Sequence, residues 1–440
     1  MSRVGWTLAP RTDPLSGERM DAWTHASGLV LLHFPKPGFS KAFAGFAVPY
    51  GSVHTAFESD DAHRVPEGSA HYLEHCVFTR DENGGLLSAL SGLGAHANAY
   101  TTHTHTLYHF TASDAFEASF RKMLHAVLRP ELGPERVDAE RPIILSELAM
   151  YRDEPDSRGF TALLEGLYAV HPVRGDIGGT AGSVAEIRSE HLRAIHAAFY
   201  APRRMTVAVV GDLDADALLA AVAAEVDGLP VSAPGAPRLP AEPARAAAAR
   251  TTVRMDVAMP SFLVGIKDPA AAEAGSARTP RELAVRRRAG RLVFETLLGS
   301  ASPVFDSLYA DGLLTDSFGF HYLCEDGFAF LAAGGESPEP ERAASELLSR
   351  MRAAFRNGLD PVLFENQRRA AAGHFLRSLD STEGCGLSAL HAALAGVELF
   401  DYPGIYDSID REEASAGMRF LLDDGLESAA FVLPAEVDGP

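Results

Sequence analysis

The chain has 440 residues, of which 46% are hydrophobic, and its formal net charge at pH 7 is −20. A chain of this length predicts two or three domains with substantial cores. The negative charge argues against nucleic acid and anionic membranes as partners. It would attract a basic peptide, although an acidic surface that keeps the protein in solution explains it equally well.

The N terminus and the cysteines bear on the cellular compartment. No apolar segment follows the first basic residue, and no run of about 20 apolar residues occurs, so we expect neither a secretory signal nor a membrane span. The three cysteines, Cys76, Cys324 and Cys385, are odd in number and far apart. They imply no disulfide framework and favour a reducing compartment, of which the cytoplasm is the simplest choice.

The first half of the chain alternates strand-like and helical patterns. Apolar runs that begin at Gly28 and Ala42 predict two strands, which a helix then follows. The alternating stretch 97–110 predicts one further strand, and amphipathic patterns over 114–200 predict several helices. The apolar run that begins at Met205 predicts the strand that closes this half.

The second half repeats this order, from a strand beginning at Val253 to one beginning at Ser428, which suggests a duplicated α+β unit. Between the halves, residues 230–250 carry five prolines at intervals of three or four residues: Pro230, Pro234, Pro237, Pro240 and Pro243. Such a segment cannot build a helix or a sheet interior, so we expect a semi-extended linker.

A short motif, H-x-x-E-H, runs from His71 to His75. On a helix the two histidines project from one face, where they can hold one Zn²⁺, and Glu74 can reach a water beside the metal. Two ordinary helix histidines and a surface glutamate remain the alternative, because chance gives the pattern in roughly one such chain in twenty. Cys76 is turned about 100° away from the histidines, which favours a core thiol over a ligand.

A catalytic zinc needs a third protein ligand, and Glu147 is the candidate. It shares a face of a predicted helix over 135–153 with Glu140, which could support a histidine. Pro142 would bend such a helix, or the helix begins near it. Taken alone, Glu147 is better explained as an ordinary exposed glutamate.

Four segments in this order resemble the M16 (pitrilysin or inverzincin) zinc metallopeptidases: GSAHYLEH at 68–75, GAHANAYTTHTHTLYHF at 94–110, ERPIILSELAMYRDEPD at 140–156 and HPVRGDIGGT at 171–180. The sequences of these segments are most similar to those of processing-peptidase-like bacterial members of the YmfH-like group. The resemblance implies two related LuxS/metallohydrolase-like α+β domains, each an antiparallel-rich sheet with helices packed on it. They would be an N-terminal catalytic zinc domain over 1–229 and a homologous non-zinc domain over 251–440, joined by the linker.

The resemblance also implies a role for each residue of the motifs. His71, His75 and Glu147 would bind Zn²⁺, Glu74 would be the general base, and Glu140 would support the site from behind the ligands. The base would take a proton from water and deliver it to the leaving amine of a peptide.

A second set of residues concerns the substrate. The resemblance implies that Asn98 and Ala99 lie on an exposed edge strand that pairs with an extended peptide. His103, His105 and His109 would share one face of the predicted strand. They could form a second metal site, but solvent-facing or hydrogen-bonded strand histidines explain them better.

The chain departs from the family in its second half. Self-sufficient M16 peptidases carry there an Arg and a Tyr seven residues apart that hold the substrate. Tyr309 stands where the Arg is expected, and the Tyr position falls near Thr315 or Asp316. We therefore expect a homologous M16 partner subunit that supplies the Arg and Tyr.

Two alternatives to that partner stay open, because Arg288, Arg291 or Arg377 could replace the missing Arg, and a homodimer could use the same surface. The overall expectation is a zinc-dependent endopeptidase that cleaves unstructured peptides in an enclosed chamber, as the zinc-bearing subunit of a heterodimer. A non-catalytic peptide-binding or assembly subunit on the same fold is the alternative, and a zinc-stabilised structural protein is a further one. The complete set of predicted ligands argues against both.

Overall fold

The structure is a computed structural model in which residues 4–78, 85–229, 235–272 and 278–435 are described. The chain divides into two compact units, and neither is continuous in sequence. The first unit comprises Met1–Ser146, Asp176–Arg238 and His374–Asp401; the second comprises Glu147–Gly175, Leu239–Gly373 and Tyr402–Pro440.

The strands and helices are numbered separately in chain order. The strands are β1 (Trp6–Thr12), β2 (Arg19–His25), β3 (Val30–Pro35), β4 (Ala42–Val48), β5 (Ala56–Glu58), β6 (Ala62–Arg64), β7 (His96–Thr101), β8 (Thr106–Ala112), β9 (Thr206–Gly211), β10 (Ala236–Pro237), β11 (Arg250–Met255), β12 (Ser261–Lys267), β13 (Gly319–Glu325), β14 (Phe328–Glu336) and β15 (Glu427–Pro434). The helices are α1 (Ser69–Val77), α2 (Leu86–Gly92), α3 (Phe116–Leu128), α4 (Pro134–Arg152), α5 (Pro155–Leu167), α6 (Ala181–Glu186), α7 (Ser189–Phe199), α8 (Ala215–Val226), α9 (Pro269–Ala272), α10 (Pro280–Leu298), α11 (Pro303–Ala310), α12 (Pro340–Asn357), α13 (Pro361–Ser378), α14 (Thr382–Leu394), α15 (Tyr402–Asp407) and α16 (Arg411–Gly417).

The first unit is built on a seven-stranded sheet in the order β1-β2-β3-β9-β4-β8-β7. All neighbours are antiparallel except β3 and β9, which are parallel. The central strands β4 and β8 are buried along their whole length. The continuous apolar run of β4 is typical of a strand that is covered on both faces. A small sheet, β10-β5-β6, completes the unit.

The second unit is built on a five-stranded sheet in the order β11-β15-β12-β14-β13. Only β11 and β15 are parallel; the other neighbours are antiparallel. Both units therefore combine an antiparallel-rich sheet with packed helices, which confirms the predicted α+β fold class. The strands predicted from the apolar runs at Gly28, Ala42 and Met205 are confirmed as β3, β4 and β9.

Each sheet is covered by a helix from the other half of the chain. α14 packs on β4 and β9 of the first sheet, and α5 packs on β11, β12 and β15 of the second. Glycines allow the close approach: a Cβ added at Gly386 would lie 2.2 Å from the ring of Phe43, and one at Gly265 would lie 2.7 Å from Leu167. The boundaries predicted at 229 and 251 concern the order of two repeats along the chain. The compact units are a different division, because each includes a helix from the other half of the chain, so the predicted boundaries stay a prediction.

The stretch 97–110 differs from its prediction as one strand. It forms the antiparallel hairpin β7–β8, with a turn at 102–105. The Thr102 hydroxyl takes the place of the usual turn residues, because it accepts hydrogen bonds from the backbone amides of Thr104 and His105. His103 and His105 therefore lie in the turn, and they do not share a strand face with His109.

The described part of the predicted linker, 235–250, contributes one residue, Glu242, to a buried ion pair with Lys267 of β12. Lys267 Nζ lies 2.7 Å from Glu242 Oε1, and the exposed fractions of the two side chains are 0% and 1%. The Glu242 carboxylate also accepts hydrogen bonds from three consecutive backbone amides, those of residues 169–171. The linker is thus anchored to the second unit by a charged residue, while residues 230–234 lie outside the described ranges.

Two further findings concern the cysteines and the helices. All three cysteines are free and buried. None of the helices in the described ranges is both long enough and apolar enough to cross a lipid bilayer.

Candidate metal centre

The start of α1 is fixed by backbone contacts. Gly68 precedes the helix with a φ of +85°, in the left-handed region that favours glycine. A Cβ there would lie 2.3 Å from the carbonyl oxygen of Gly178, and one at Gly179 would lie 2.6 Å from that of Glu67. Two of the four sequence motifs, GSAHYLEH and the end of HPVRGDIGGT, therefore pack backbone against backbone.

α1 turns its two histidines away from the core. Tyr72 and Leu73 are fully buried, while His71 and His75 are half-buried. The two imidazole ring centroids are 4.6 Å apart, with their planes at 77°. This is the i, i+4 relationship predicted from the motif.

Glu147 completes a set of three donors. One nitrogen from each of His71 and His75 and one carboxylate oxygen of Glu147 all lie within 4.8 Å of one another. Glu147 directly follows the last residue of the first unit on the continuous helix α4, which carries it to the histidines. Two imidazoles and one carboxylate form a donor set that Zn²⁺ takes in catalytic sites, with one position left open. The residues present therefore fit a zinc ion.

In the described ranges, no other group of three His, Cys, Asp or Glu side chains brings its ligand atoms within 4.8 Å of one another. Because 97–110 is a hairpin, His103 and His105 do not share a strand face with His109. The alternative of a second metal site at these three histidines required that face. Cys76 is 3% exposed, and burial raises the pKa of its thiol to about 12. It stays protonated near neutral pH and is a core residue, as predicted from its position on the helix.

Glu140 lies behind His75. Its Oε2 is 3.9 Å from His75 Nδ1, and its Oε1 is 3.4 Å from the guanidinium of Arg136. A carboxylate on the Nδ1 side orients the ring and leaves Nε2 for a metal. The Glu140 side chain is only 6% exposed, so this contact is shielded from water.

α4 is continuous from Pro134 to Arg152 and contains Pro142, so the alternative that it begins near Pro142 is wrong. The helix is tied to its surroundings in the turn before this residue. The Tyr72 hydroxyl donates to the carbonyl oxygen of Val137, and the Arg141 guanidinium donates to the carbonyl oxygens of Val184 and Ile187. The first bond holds α4 to α1, and the bonds of Arg141 hold it to the C-terminal end of α6, despite the missing amide donor at the proline.

Glu74, the predicted base, is 8% exposed. Its Oε2 accepts a hydrogen bond of 2.6 Å from the hydroxyl of Thr101, the last residue of β7. Thr101 is a residue that the motifs did not single out. Its signal in the sequence is its place in the second motif, two residues after Ala99.

In the part of the chain that is described, β7 is one of the two edge strands of the first sheet, and β1 is the other. Asn98 is exposed, and its Oδ1 accepts a hydrogen bond of 2.9 Å from the Ala99 amide. An incoming strand that uses this amide has to displace the Asn98 side chain first.

In the second unit, the position expected to hold an Arg is Tyr309, which is 47% exposed. The nearby Thr315 hydroxyl lies 2.8 Å from Ser317 Oγ. Of the three alternative arginines, Arg288 lies over the ring of Tyr402 at 4.2 Å, and Arg291, 62% exposed, is 3.8 Å from Glu295. Arg377 is exposed on α13. None of the three is thereby assigned to a substrate.

Comparison with known proteins gives the family. Residues 41–181 match the model described as Insulinase (Peptidase family M16), and residues 186–371 match the model described as Peptidase M16 inactive domain. The chain is 31% identical over 397 residues to the "Uncharacterized zinc protease YmfH" of Bacillus subtilis, which covers 88% of this chain and 90% of the relative.

Two more relatives agree with this. A putative M16-like peptidase from Alicyclobacillus acidocaldarius superposes with a TM-score of 0.87 at 30% identity, over 95% of this chain and 99% of that one. A probable mitochondrial-processing peptidase subunit beta from Arabidopsis thaliana is 26% identical over 208 residues, which is 46% of this chain and 38% of that protein. The two family models, the full-length relative and the shared fold show that the chain belongs to the M16 peptidase family.

Proposed function

We propose that the chain is a zinc-dependent endopeptidase whose reacting centre is formed by α1 and α4. The observation that carries the proposal is the cluster of His71, His75 and Glu147, with the buried Glu74 carboxylate beside it. The names of the relatives, M16 peptidases and zinc proteases, support the same activity.

The chain supplies three metal ligands, a general base and a carboxylate that orients one of the ligands. When bound by the three donors, Zn²⁺ would act as a Lewis acid that polarises a peptide carbonyl and acidifies a water. Glu74 takes a proton from that water and passes it to the leaving amine. Glu140, on the Nδ1 side of His75, would orient this ring for binding the metal.

An extended peptide is the substrate that the surroundings of the site favour. β7 is an edge strand, and its Asn98–Ala99 segment offers backbone groups for strand addition. On α4, Ile143 and Met150 lie one turn before and after Glu147 and are 49% and 55% exposed. They offer apolar contact to side chains of the peptide, and only an unstructured polypeptide can present such a strand.

The chamber, the partner and the two repeats belong to the same proposal. Residues 1–229 form the zinc domain, residues 251–440 form the homologous domain without zinc, and the peptide is cleaved in an enclosed chamber. A homologous M16 subunit supplies the Arg and Tyr, in a heterodimer or in a homodimer that uses the same surface. The match to a subunit of a mitochondrial-processing peptidase supports this division of labour. The free, buried thiols fit a reducing compartment, and we propose the cytoplasm.

A non-catalytic peptide-binding or assembly subunit is the second candidate. Tyr309 stands where the Arg is expected and the second half matches a model described as inactive, which favours this reading. The intact donor set favours the peptidase.

The test is the cleavage of a quenched fluorescent peptide library by the purified chain, alone and with a homologous M16 subunit from the same genome. Cleavage that a chelator abolishes and zinc restores is the expected result. If zinc binds stoichiometrically and no peptide is cleaved in either mixture, the non-catalytic candidate replaces the peptidase.

A further inference from the structure

We propose that Thr101 is a positioning residue whose hydroxyl holds the Glu74 carboxylate in the orientation in which it takes the reacting proton. The inference rests on the proposed function, because it concerns the base of that reaction. It also ties the base to β7, the strand on which we place the substrate.

The direction of the hydrogen bond follows from its neighbours. Thr101 Oγ1 lies 2.6 Å from Glu74 Oε2 and 3.4 Å from Thr106 Oγ1. Thr106 is fully buried and donates its own proton to the carbonyl oxygen of Tyr50, 2.9 Å away. A carboxylate at 2.6 Å is a far better acceptor than a hydroxyl at 3.4 Å, so the Thr101 proton belongs to Glu74.

This bond gives the Glu74 carboxylate a fixed donor, because Oε2 accepts the hydroxyl proton of a residue that belongs to the sheet. The bond also fixes the rotation of the carboxylate, which the 8% exposure of Glu74 alone does not do. A general base has to keep hydrogen-bond geometry with the atom it serves, so a lost support lowers its efficiency.

The hairpin places Thr101 where it can couple binding to catalysis. Thr101 pairs with Thr106 at the end of β7, two residues beyond Ala99. A peptide that adds to the outer side of β7 orders the same strand that holds Glu74. Loss of the hydroxyl should therefore lower kcat, while affinity for the peptide, which depends on backbone groups, stays nearly unchanged.

The kinetic test compares Thr101→Val with Thr101→Ser in the full-length, zinc-loaded chain, with its partner subunit where turnover needs it. We expect Thr101→Val to lose about 10- to 100-fold in kcat with little change in KM or zinc content, the scale seen when a supporting hydrogen bond is removed. Thr101→Ser keeps the hydroxyl and should restore most of the rate. Thr111→Val makes the same change on β8 and should leave kcat as it is. A wild-type kcat in Thr101→Val would overturn the proposal.

A second readout does not depend on activity or on metal. In the metal-free protein, the unfolding temperatures of Thr101→Val, Glu74→Ala and the double variant form a double-mutant cycle. If the two side chains are bonded, the shift of the double variant is smaller than the sum of the single shifts; strict additivity would refute the contact. Non-additivity in a protein that cleaves no peptide would retain the contact and reject the peptidase, so the two failures can be told apart.

Discussion

The Tyr309 hydroxyl donates a hydrogen bond of 3.2 Å to the carboxylate of Asp316, seven residues further along the chain. Self-sufficient M16 peptidases resemble this chain but carry an Arg and a Tyr at that spacing. Here the same spacing holds a phenol and an anion, so this pair brings no positive charge to a substrate carbonyl. The proposed zinc donors are thus present, while Tyr309 and Asp316 do not supply the Arg and Tyr that the resemblance leads us to expect.

Restoring the pair should raise the activity of the isolated chain. We predict that Tyr309→Arg combined with Asp316→Tyr increases kcat/KM without a partner by up to about 10²-fold, the lower end of what one polarising donor contributes. The control is Tyr309→Phe with Asp316→Asn, which removes the hydrogen bond and adds no cation. Equal rates for the two double variants, measured on one fluorogenic peptide, would show that the missing Arg is supplied elsewhere in this chain.

His71→Ala should abolish stoichiometric zinc binding. Two donors that remain on separate helices do not make the closed set that holds one Zn²⁺. Zinc per chain is measured by mass spectrometry after equilibrium dialysis. His103→Ala, in the hairpin turn, is the matched control and should keep one equivalent, whereas a full equivalent in His71→Ala would reject this ligand.

Glu140→Gln should weaken zinc binding by about 10- to 100-fold, because the amide no longer offers a charged partner to His75 Nδ1. Competition with a chelating dye measures the affinity. Glu135→Gln, an exposed residue in the first turn of the same helix, is the control. If both variants bind zinc equally well, Glu140 does not support the site.

Glu242→Gln should destabilise the second unit by about 3–5 kcal/mol at neutral pH, since it leaves Lys267 charged and buried without its partner. The control is Glu341→Gln, which breaks the exposed pair with Arg250 and should cost less than about 1 kcal/mol. Denaturant unfolding measures both. Similar losses in the free energy of unfolding of the two variants would contradict the larger stabilisation that we assign to the buried pair.

The same pair predicts a pH dependence. Burial raises the pKa of Glu242, but Lys267 and the three backbone amides outweigh burial, and the net pKa lies below its ordinary value of 4.5. Because the folded-state pKa is lowered, the stabilisation is complete above about pH 4.5 and is lost as the pH falls through the folded-state pKa. The difference in stability between wild type and Glu242→Gln should therefore shrink on acidification; a constant difference would contradict the ionised pair.

The sequence predicts those parts of the molecule that depend on local patterns. The i, i+4 histidines, the apolar runs of β3, β4 and β9, and the helix predicted over 135–153 each follow from the spacing of residues along one element. In α1 the burial of Tyr72 and Leu73 turns His71 and His75 outward, so the pattern fixes the geometry.

The features that the sequence did not predict depend on contacts between distant segments. The alternation of Thr and His continues through the turn at 102–105, where no Gly, Pro or Asn marks it. The bonds of Thr101 to Glu74 and of Lys267 to Glu242 join residues 27 and 25 positions apart. Likewise, α14 packs on the first sheet because Gly386 has no side chain. The need for a glycine there follows from its contact with the ring of Phe43, which is far away in the sequence.

The most direct test of the account is the turnover of wild type and Glu74→Gln, both loaded with zinc and matched for metal content, on the same peptide with the partner subunit present. Glu74→Gln keeps the donors His71, His75 and Glu147 and loses only the base. We predict one equivalent of zinc in both proteins and a kcat lower by about 10²- to 10⁴-fold in the variant. A near-wild-type kcat in a zinc-loaded Glu74→Gln protein would contradict the assigned mechanism.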